Sequence, residues 1–355
     1  MSDQSPPIGP IGEPIMGANG KLRWRPIRKA NDPEGYDPEH KHSIEDYDLP
    51  PVESTVTWKT KPGEPVIEVE DLGIEFLRGR KRNLSLREIV FTGKSAHKRD
   101  TFWALRNLNF TVGRGEAVGL VGGNGGGKST LLKLIAGTLL PDEGRAKVHE
   151  GVAPLIELTG GFVGELSARE NIYLTAGLHG MSKEQVEERW DDIVDFAGPQ
   201  VRAGLDVPYR HFSSGMQVRL GFSVITCLDE PIILVDEVLA VGDAAFREKC
   251  YNRMESLLDQ GRTLFLVSHS GPDLLRFCTR GLYLNGGHLV GDGPMDEIMD
   301  RYLSELMGDS YELPTDEEVV DRRRKRTDEQ IKRRLKREEE RRAIENEADR
   351  RRAVG

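Results

Sequence analysis

The pattern of apolar and polar positions divides the chain into three stretches. Between Val66 and about residue 306 it keeps returning to short apolar runs. Val66–Glu70 reads as a strand, and Asn107–Val112 (NLNFTV) alternates apolar with polar residues, as a half-buried strand does. Glu116–Val121 (EAVGLV), the run from Ile232 to Asp236 (IILVD) and Thr263–Ser268 (TLFLVS) are continuously apolar, the form of strands covered on both faces. Residues 1–65 lack such periodicity and hold 11 of the 19 prolines, so they predict an extended tail that cannot offset its chain entropy by burial. Trp24 and Trp58 are unusual in such a tail and point to docking, on the body or on a partner. Residues 307–355 are mostly charged, with helix-forming residues but few apolar anchors, chiefly Ile331, Leu335 and Ile344.

Composition adds exclusions. The 355 residues carry 50 Lys and Arg against 59 Asp and Glu, a net charge of −9, and the mean hydropathy is −0.49. No stretch approaches the roughly 20 uninterrupted apolar residues of a membrane span, and the N-terminus lacks the pattern of a secretory signal. Cys227, Cys250 and Cys278 are too few for a disulfide framework and match no zinc spacing, which suggests a reducing compartment. The charge is uneven. From Asp321 to Gly355 there are 15 Lys and Arg against 9 Asp and Glu, a surplus of six positive charges, while the other 320 residues have 35 against 50. Pairs such as Arg334 with Glu338 support a solvated helix by a few tenths of a kcal/mol, roughly. Two readings of this tail stand: a solvated or partly disordered segment, or a basic surface helix meeting anionic lipid headgroups. Nucleic acid is not expected, because acidic residues interleave and the body is negative.

Glycine is locally concentrated, with eight of 39 between Gly113 and Gly127. There, Gly122, Gly123, Asn124, Gly125, Gly126, Gly127, Lys128 and Ser129 satisfy G-x-x-x-x-G-K-[ST] between a strand and a helix. Glycines let successive N–H groups surround phosphate oxygens, and the helix that starts near Lys128 and runs through Thr130 adds its positive dipole end. Lys128 suits the β- and γ-phosphates of a nucleoside triphosphate, and the Ser129 hydroxyl suits Mg²⁺. About a hundred residues later the apolar strand ends in Asp236 and Glu237, at the edge where open α/β sheets place ligands. Asp236 fits a Mg²⁺ ligand through its water shell, and Glu237 a group that polarises the attacking water. His269 follows the third strand and faces the same crevice, so a γ-phosphate contact is expected.

The run Phe212-Ser213-Ser214-Gly215-Met216-Gln217-Val218-Arg219-Leu220 resembles the signature motif of ATP-binding cassette (ABC) ATPases, whose common form is L-S-G-G-Q. Phe212 and Met216 depart from it, while Ser213 and Gly215 keep the two positions that matter most. The resemblance implies an α/β fold: a RecA-like P-loop core, an antiparallel β subdomain and a helical subdomain at about 160–228. It also implies a head-to-tail homodimer sharing two ATPs, with Ser213, Ser214, Gly215 and Met216 presented to the partner's nucleotide and Asp243 as the D-loop aspartate. The strings Glu237–Asp243 (EVLAVGD) and Glu170–Leu174 (ENIYL) are similar to the Wzt/TagH-type subunits of polysaccharide and teichoic-acid exporters. That likeness covers about residues 66–306. It implies export of an undecaprenyl-diphosphate-linked glycan at the cytoplasmic face of the membrane. A separate integral-membrane ABC-2 type permease would handle most of the glycan contact. Phe76 occupies the usual adenine-stacking place, with Phe102 and Trp103 as competitors and a core role for Phe76 as the alternative. Residues 86–91 are either a permease-facing gate helix or a plain surface helix. Leu158 stands where a glutamine is usual, and Glu157 beside it is the candidate metal or water ligand. The 53 residues after Tyr302 are too few for a glycan-binding sandwich of about 100 residues. The rival readings are a soluble ABC ATPase acting on ribosomes or nucleic acid, and an ABC-2 exporter of another lipid or drug.

Overall fold

The computed structural model describes residues 12–16, 22–26, 57–61, 63–77, 101–156, 161–237, 239, 242–311 and 313–354. Strands β1 (Gly12–Met16) and β2 (Leu22–Pro26) pair as an antiparallel hairpin with Pro14 opposite Trp24. Trp58 docks on the body: it packs against the core, and the Arg114 guanidinium lies 4.2 Å from its ring centre. Glu150 holds the same segment by accepting hydrogen bonds from the backbone N–H groups of Lys59 and Thr60, at 2.9 and 2.6 Å.

The body begins with β3 (Pro65–Leu77), β4 (Thr101–Gly113), β5 (Ala117–Val121), α1 (Lys128–Ile135), β6 (Glu143–Val148) and β7 (Val152–Leu155). A helical layer follows: α2 (Ala168–Leu178), α3 (Lys183–Glu188), α4 (Trp190–Ala197), α5 (Pro199–Ala203) and α6 (Ser214–Thr226). The chain then returns through β8 (Ile232–Asp236), α7 (Ala244–Asp259), β9 (Thr263–Val267), α8 (Gly271–Phe277), β10 (Arg280–Asn285), β11 (His288–Pro294) and α9 (Met295–Met307). The last helix is α10 (Asp316–Val354). The main sheet has the order β11-β10-β5-β9-β8-β7, parallel except for β11, and β4-β3-β6 form a separate antiparallel sheet. The RecA-like core, the antiparallel β subdomain and the helical subdomain expected from the resemblance are all present.

The continuous apolar runs are explained by burial on both faces. Ile233, Val235, Leu264 and Leu266 point to one side, packing with Phe222 of α6 and Phe246, Cys250 and Met254 of α7. Their neighbours Ile232, Leu234, Phe265 and Val267 point to the other, packing with Leu131 and Leu132 of α1 and Leu105 and Leu108 of β4. Period-two alternation thus persists in space where it is invisible in hydropathy. The helical layer has its own core, including Ile172, Ile193, Val194, Tyr209, Phe212 and Leu220. Ser167 and Ser182 each start a helix with a reciprocal capping box.

The charged C-terminal stretch is helical, and one side of it is seated on the body. Residues 316–354 form one helix whose Arg322, Arg323, Arg326, Arg333 and Arg337 bond to groups of the body, Arg322 and Arg323 while still part-exposed. Ile331 is buried at its centre. Residues 86–91, read as a gate or surface helix, lie outside the described residues. Phe265→Ala is expected to destabilise the protein by about 3–5 kcal/mol in urea denaturation, because a buried ring leaves a cavity. Leu140→Ala, at a side chain 83% exposed, should stay within about 0.5 kcal/mol.

Candidate active site

Parallel register brings three strand ends level. Leu120 pairs with Val267, and Val267 with Asp236, so Gly122, His269 and Glu237 emerge together at the carboxyl edge of the sheet. The loop from Gly122 to Gly127 needs its glycines for two reasons. Gly127 has φ 94, and a Cβ there would lie 2.4 Å from Leu105 Cδ2. A Cβ on Gly122 would lie 2.2 Å from the Leu284 carbonyl oxygen. The loop is therefore seated between β4 and β10 in a conformation that side chains forbid. The Gly126 N–H donates to the Gly123 carbonyl at 3.1 Å.

Lys128 begins α1 and folds back over this loop. Its Nζ donates to the carbonyls of Gly122 and Gly123 at 2.8 and 2.9 Å, using two of three donors. Burial pushes its pKa below the usual lysine value, while the charges of Glu237 and Asp236 oppose that shift. Asp236 moves the other way. Burial raises its carboxyl above the usual range, the neighbouring Glu237 charge adds to this, and hydrogen bonding from Ser129 counters it. Asp236 Oδ1 is buried without a hydrogen-bond partner. A buried carboxylate oxygen left open beside a serine hydroxyl is an arrangement that a hard, oxygen-seeking cation satisfies, so Ser129 and Asp236 fit Mg²⁺. Glu157, the third expected ligand, lies outside the described residues.

Glu237 sits at φ 58, a left-handed conformation that costs a non-glycine residue about 1–2 kcal/mol. Its backbone N–H still donates to the Val267 carbonyl at 2.9 Å, and this bond fixes the turn that swings its side chain off the strand. The Glu237 Oε1 and His269 Nε2 atoms lie 2.7 Å apart, with both side chains about half exposed. A carboxylate and an imidazole so paired can orient a water and contact a phosphate oxygen.

Ser213 caps α6, its hydroxyl accepting from the Met216 N–H at 3.3 Å. Of the departures from the common signature, Phe212 is buried in the core of the helical layer and Met216, partly buried, packs against it. A Cβ at Gly215 would meet nothing within 4 Å, so this turn stands open. Asp243 caps α7 by accepting from the Phe246 N–H at 2.8 Å, and that hydrogen bond, with the Arg219 charge, holds its carboxyl below the usual range. Arg219 of α6 donates to Asp243 at 2.6 Å and lies 4.6 Å from the centre of the Phe246 ring. Sequence reasoning did not single out Arg219; its signal is the one charged side chain of its helix, six residues after the signature serine. Asn171 entered only as part of the Glu170–Leu174 string, without a role. It is fully buried and bonds both the N–H and the carbonyl of Val163, pinning the start of the helical layer.

Phe76 and Phe102 face one another across β3 and β4, ring centres 6.1 Å apart, and remain 37% and 39% exposed. Trp103 is on the other face, under the Arg106 guanidinium at 4.6 Å. The Phe76–Phe102 pair is therefore the available aromatic surface at that edge, and Phe76 is not a core residue.

These features define an ABC-type ATPase. The ABC transporter family matches residues 105–240. Two solved structures share the fold: an ATP-binding subunit of an ABC transporter, with TM-score 0.55, 23% identity and coverage of 68% of this chain and 99% of that one, and a dimeric cassette in a post-hydrolysis state with ADP and phosphate, with TM-score 0.52, 21% identity and coverage of 64% and 98%. Sequence likeness narrows the class. The chain is 38% identical over 242 residues to the O-antigen export system ATP-binding protein RfbB of Klebsiella pneumoniae, 67% of this chain and 98% of that protein. It is 39% identical over 217 residues to the teichoic acids export ATP-binding protein TagH of Bacillus anthracis, 61% of this chain and 38% of that protein. The chain belongs to the ATP-binding subunits of ABC exporters of the polysaccharide and teichoic-acid type.

Asp236 gives a stability test with a definite sign. A carboxyl raised in the folded state holds its proton more tightly than in the unfolded chain, so its ionisation costs stability as pH rises above the ordinary carboxylate range. Asp236→Asn is expected to raise the melting temperature of the nucleotide-free protein near pH 7, and the gain should vanish toward pH 3. A lower melting temperature at pH 7 contradicts this account of the carboxylate.

Proposed function

We propose that this chain is the ATP-hydrolysing subunit of an exporter that moves an undecaprenyl-diphosphate-linked polysaccharide, of O-antigen, galactan or teichoic-acid type. The path is supplied by a separate ABC-2 type permease, and this subunit sits peripherally at the cytoplasmic face of the membrane. The observation that carries the reading is the Glu237–His269 pair at the edge that also holds the phosphate loop, in a chain that matches nearly the whole of an O-antigen export ATP-binding protein. No helix among the described residues is long and apolar enough to cross a membrane, so the reading assigns the path to another chain.

Two copies meet head to tail. The loop from Gly122 to Gly127, with Lys128, Ser129 and Thr130 at the start of α1, holds the phosphates of ATP. Ser213, Ser214, Gly215 and Met216 at the open N-terminal turn of the partner's α6 cover the nucleotide, and Asp243 lies at the same junction. Phe76, with Phe102 beside it, stacks on adenine, worth about 1–3 kcal/mol by analogy with other base–aromatic contacts. Ser129 and Asp236 would hold Mg²⁺, which supplies charge neutralisation at the phosphate oxygens. Glu237 orients a water whose oxygen attacks the γ-phosphorus as the bond to the β-phosphate oxygen breaks. Lys128 and His269 meet the charge on the transferring group. Closure on ATP and release after hydrolysis move the permease.

Glu237→Gln is expected to lower kcat by about 10²–10⁴-fold while ATP binding and ATP-dependent dimerisation persist. Near-normal turnover in that variant removes Glu237 from the role. The transport reading is tested by purifying the tagged full chain from membranes: recovery with a permease supports it, and recovery with ribosomes overturns it.

A further inference from the structure

Two helices begin at the site and end away from it. α7 begins on Asp243 and runs 16 residues, about 24 Å, to Asp259. α8 begins on Ser270, the residue after His269, and ends at Phe277. The distal ends of both are gripped by α10.

The grip is built of charge and capping contacts along one stripe. Arg322, Arg326, Gln330, Arg333 and Arg337 recur every three or four residues and so share a helix face. Arg337 pairs with both Glu255 and Asp259 of α7, at 2.6 Å from Asp259. Arg333 lies 3.6 Å from Glu255. Glu255 also accepts from Arg276 of α8 at 2.8 Å, so one buried carboxylate joins α7, α8 and α10. Arg326 donates to the Cys278 carbonyl, and Gln330 to the Arg276 carbonyl at 3.4 Å, satisfying acceptors at the C-terminal end of α8. Nearer its start, α10 is held to α9 by Arg322 with Asp300 and Arg323 with Glu297, at 3.3 and 3.1 Å.

We propose that α10 is an intrachain strap that positions Asp243 and His269 from behind, and that Glu255, Asp259, Arg333 and Arg337 are positioning residues for ATP hydrolysis. The inference rests on the reading of Asp243 and His269 as parts of the ATP site. Its physical content is that a helix in a close-packed layer moves as a stiff element, so fixing its far end restricts its near end. Removing one partner of a buried charge pair leaves the other stranded, and the strap then loosens rather than simply losing one contact.

The test uses full-length Arg337→Met, Arg337→Lys and Arg337→Met with Asp259→Asn. Backbone amide exchange of residues 244–259 and 271–277 reads the strap directly, with residues 168–178 as internal control. Steady-state hydrolysis against ATP concentration reads positioning. Arg337→Met is expected to speed exchange in both helices about tenfold and to lower kcat several-fold, with KM for ATP within about twofold. Arg337→Lys should recover most of kcat. Adding Asp259→Asn to Arg337→Met should recover part of both losses, because the stranded carboxylate is gone. Unchanged exchange in Arg337→Met overturns the strap, and faster exchange with unchanged kcat overturns the positioning role. Failure of the catalytic reading is seen separately, in normal hydrolysis by Glu237→Gln, and does not alter the exchange result.

Discussion

The site depends on the register of β5, β9 and β8. Hydrogen bonding sets Leu120, Val267 and Asp236 side by side, and every group at the carboxyl edge inherits its height from that row. A slip of one residue in β8 would exchange Leu234 and Val235 between the two cores and turn Asp236 away from Ser129. Two-sided burial forbids such a slip, because each strand residue has an apolar layer waiting on its own side. The polar edge can therefore carry costs that its core would not accept: a left-handed Glu237, a lysine bent onto carbonyls, and a carboxylate oxygen without a partner.

The helical layer meets that edge on different terms. Much of its core is its own, and Phe212 of the signature turn is buried in it. α6 joins the two, with Phe222 and Ile225 in the main core and Leu220 and Val224 in the helical one. Arg219 reaches from α6 to Asp243, and it also lies over Phe246, which packs under the main sheet.

Legibility in the sequence followed the range of the interactions. The phosphate loop, the strand ending in Asp236 and Glu237, and His269 are local signals, where a few adjacent residues state both a conformation and a chemistry. The signature was legible although Phe212 and Met216 differ from the common form, and packing explains much of the difference: Phe212 is buried in the helical core, and Met216 packs against it while staying part-exposed at the turn. The β1–β2 hairpin was not legible, and Trp58 could be flagged for docking but not given a seat, because composition reports the average tendency of a stretch and not which residues find a partner. Phe76 could be named but not distinguished from Trp103, since the cross-strand pairing that puts them on opposite faces is not local.

The C-terminal helix shows the same limit most sharply. A charge-rich stretch with a surplus of six positive charges reads as solvated when its own residues are the only context. The acidic residues that receive it, from Glu255 to Asp300, are scattered through helices whose hydropathy gives no sign of a shared surface. An exposed ion pair is worth little, about 0–1 kcal/mol, so a solvated helix would be the correct expectation for isolated pairs. Several features change that balance here. Glu255 is buried, it is shared among three arginines, and Ile331 removes apolar surface beside it. Burial makes each charge dependent on its partners, because losing one leaves a desolvated group behind. The same desolvation that makes the arrangement costly to assemble makes its position specific, and a specific seat is what a helix so poor in apolar anchors otherwise lacks.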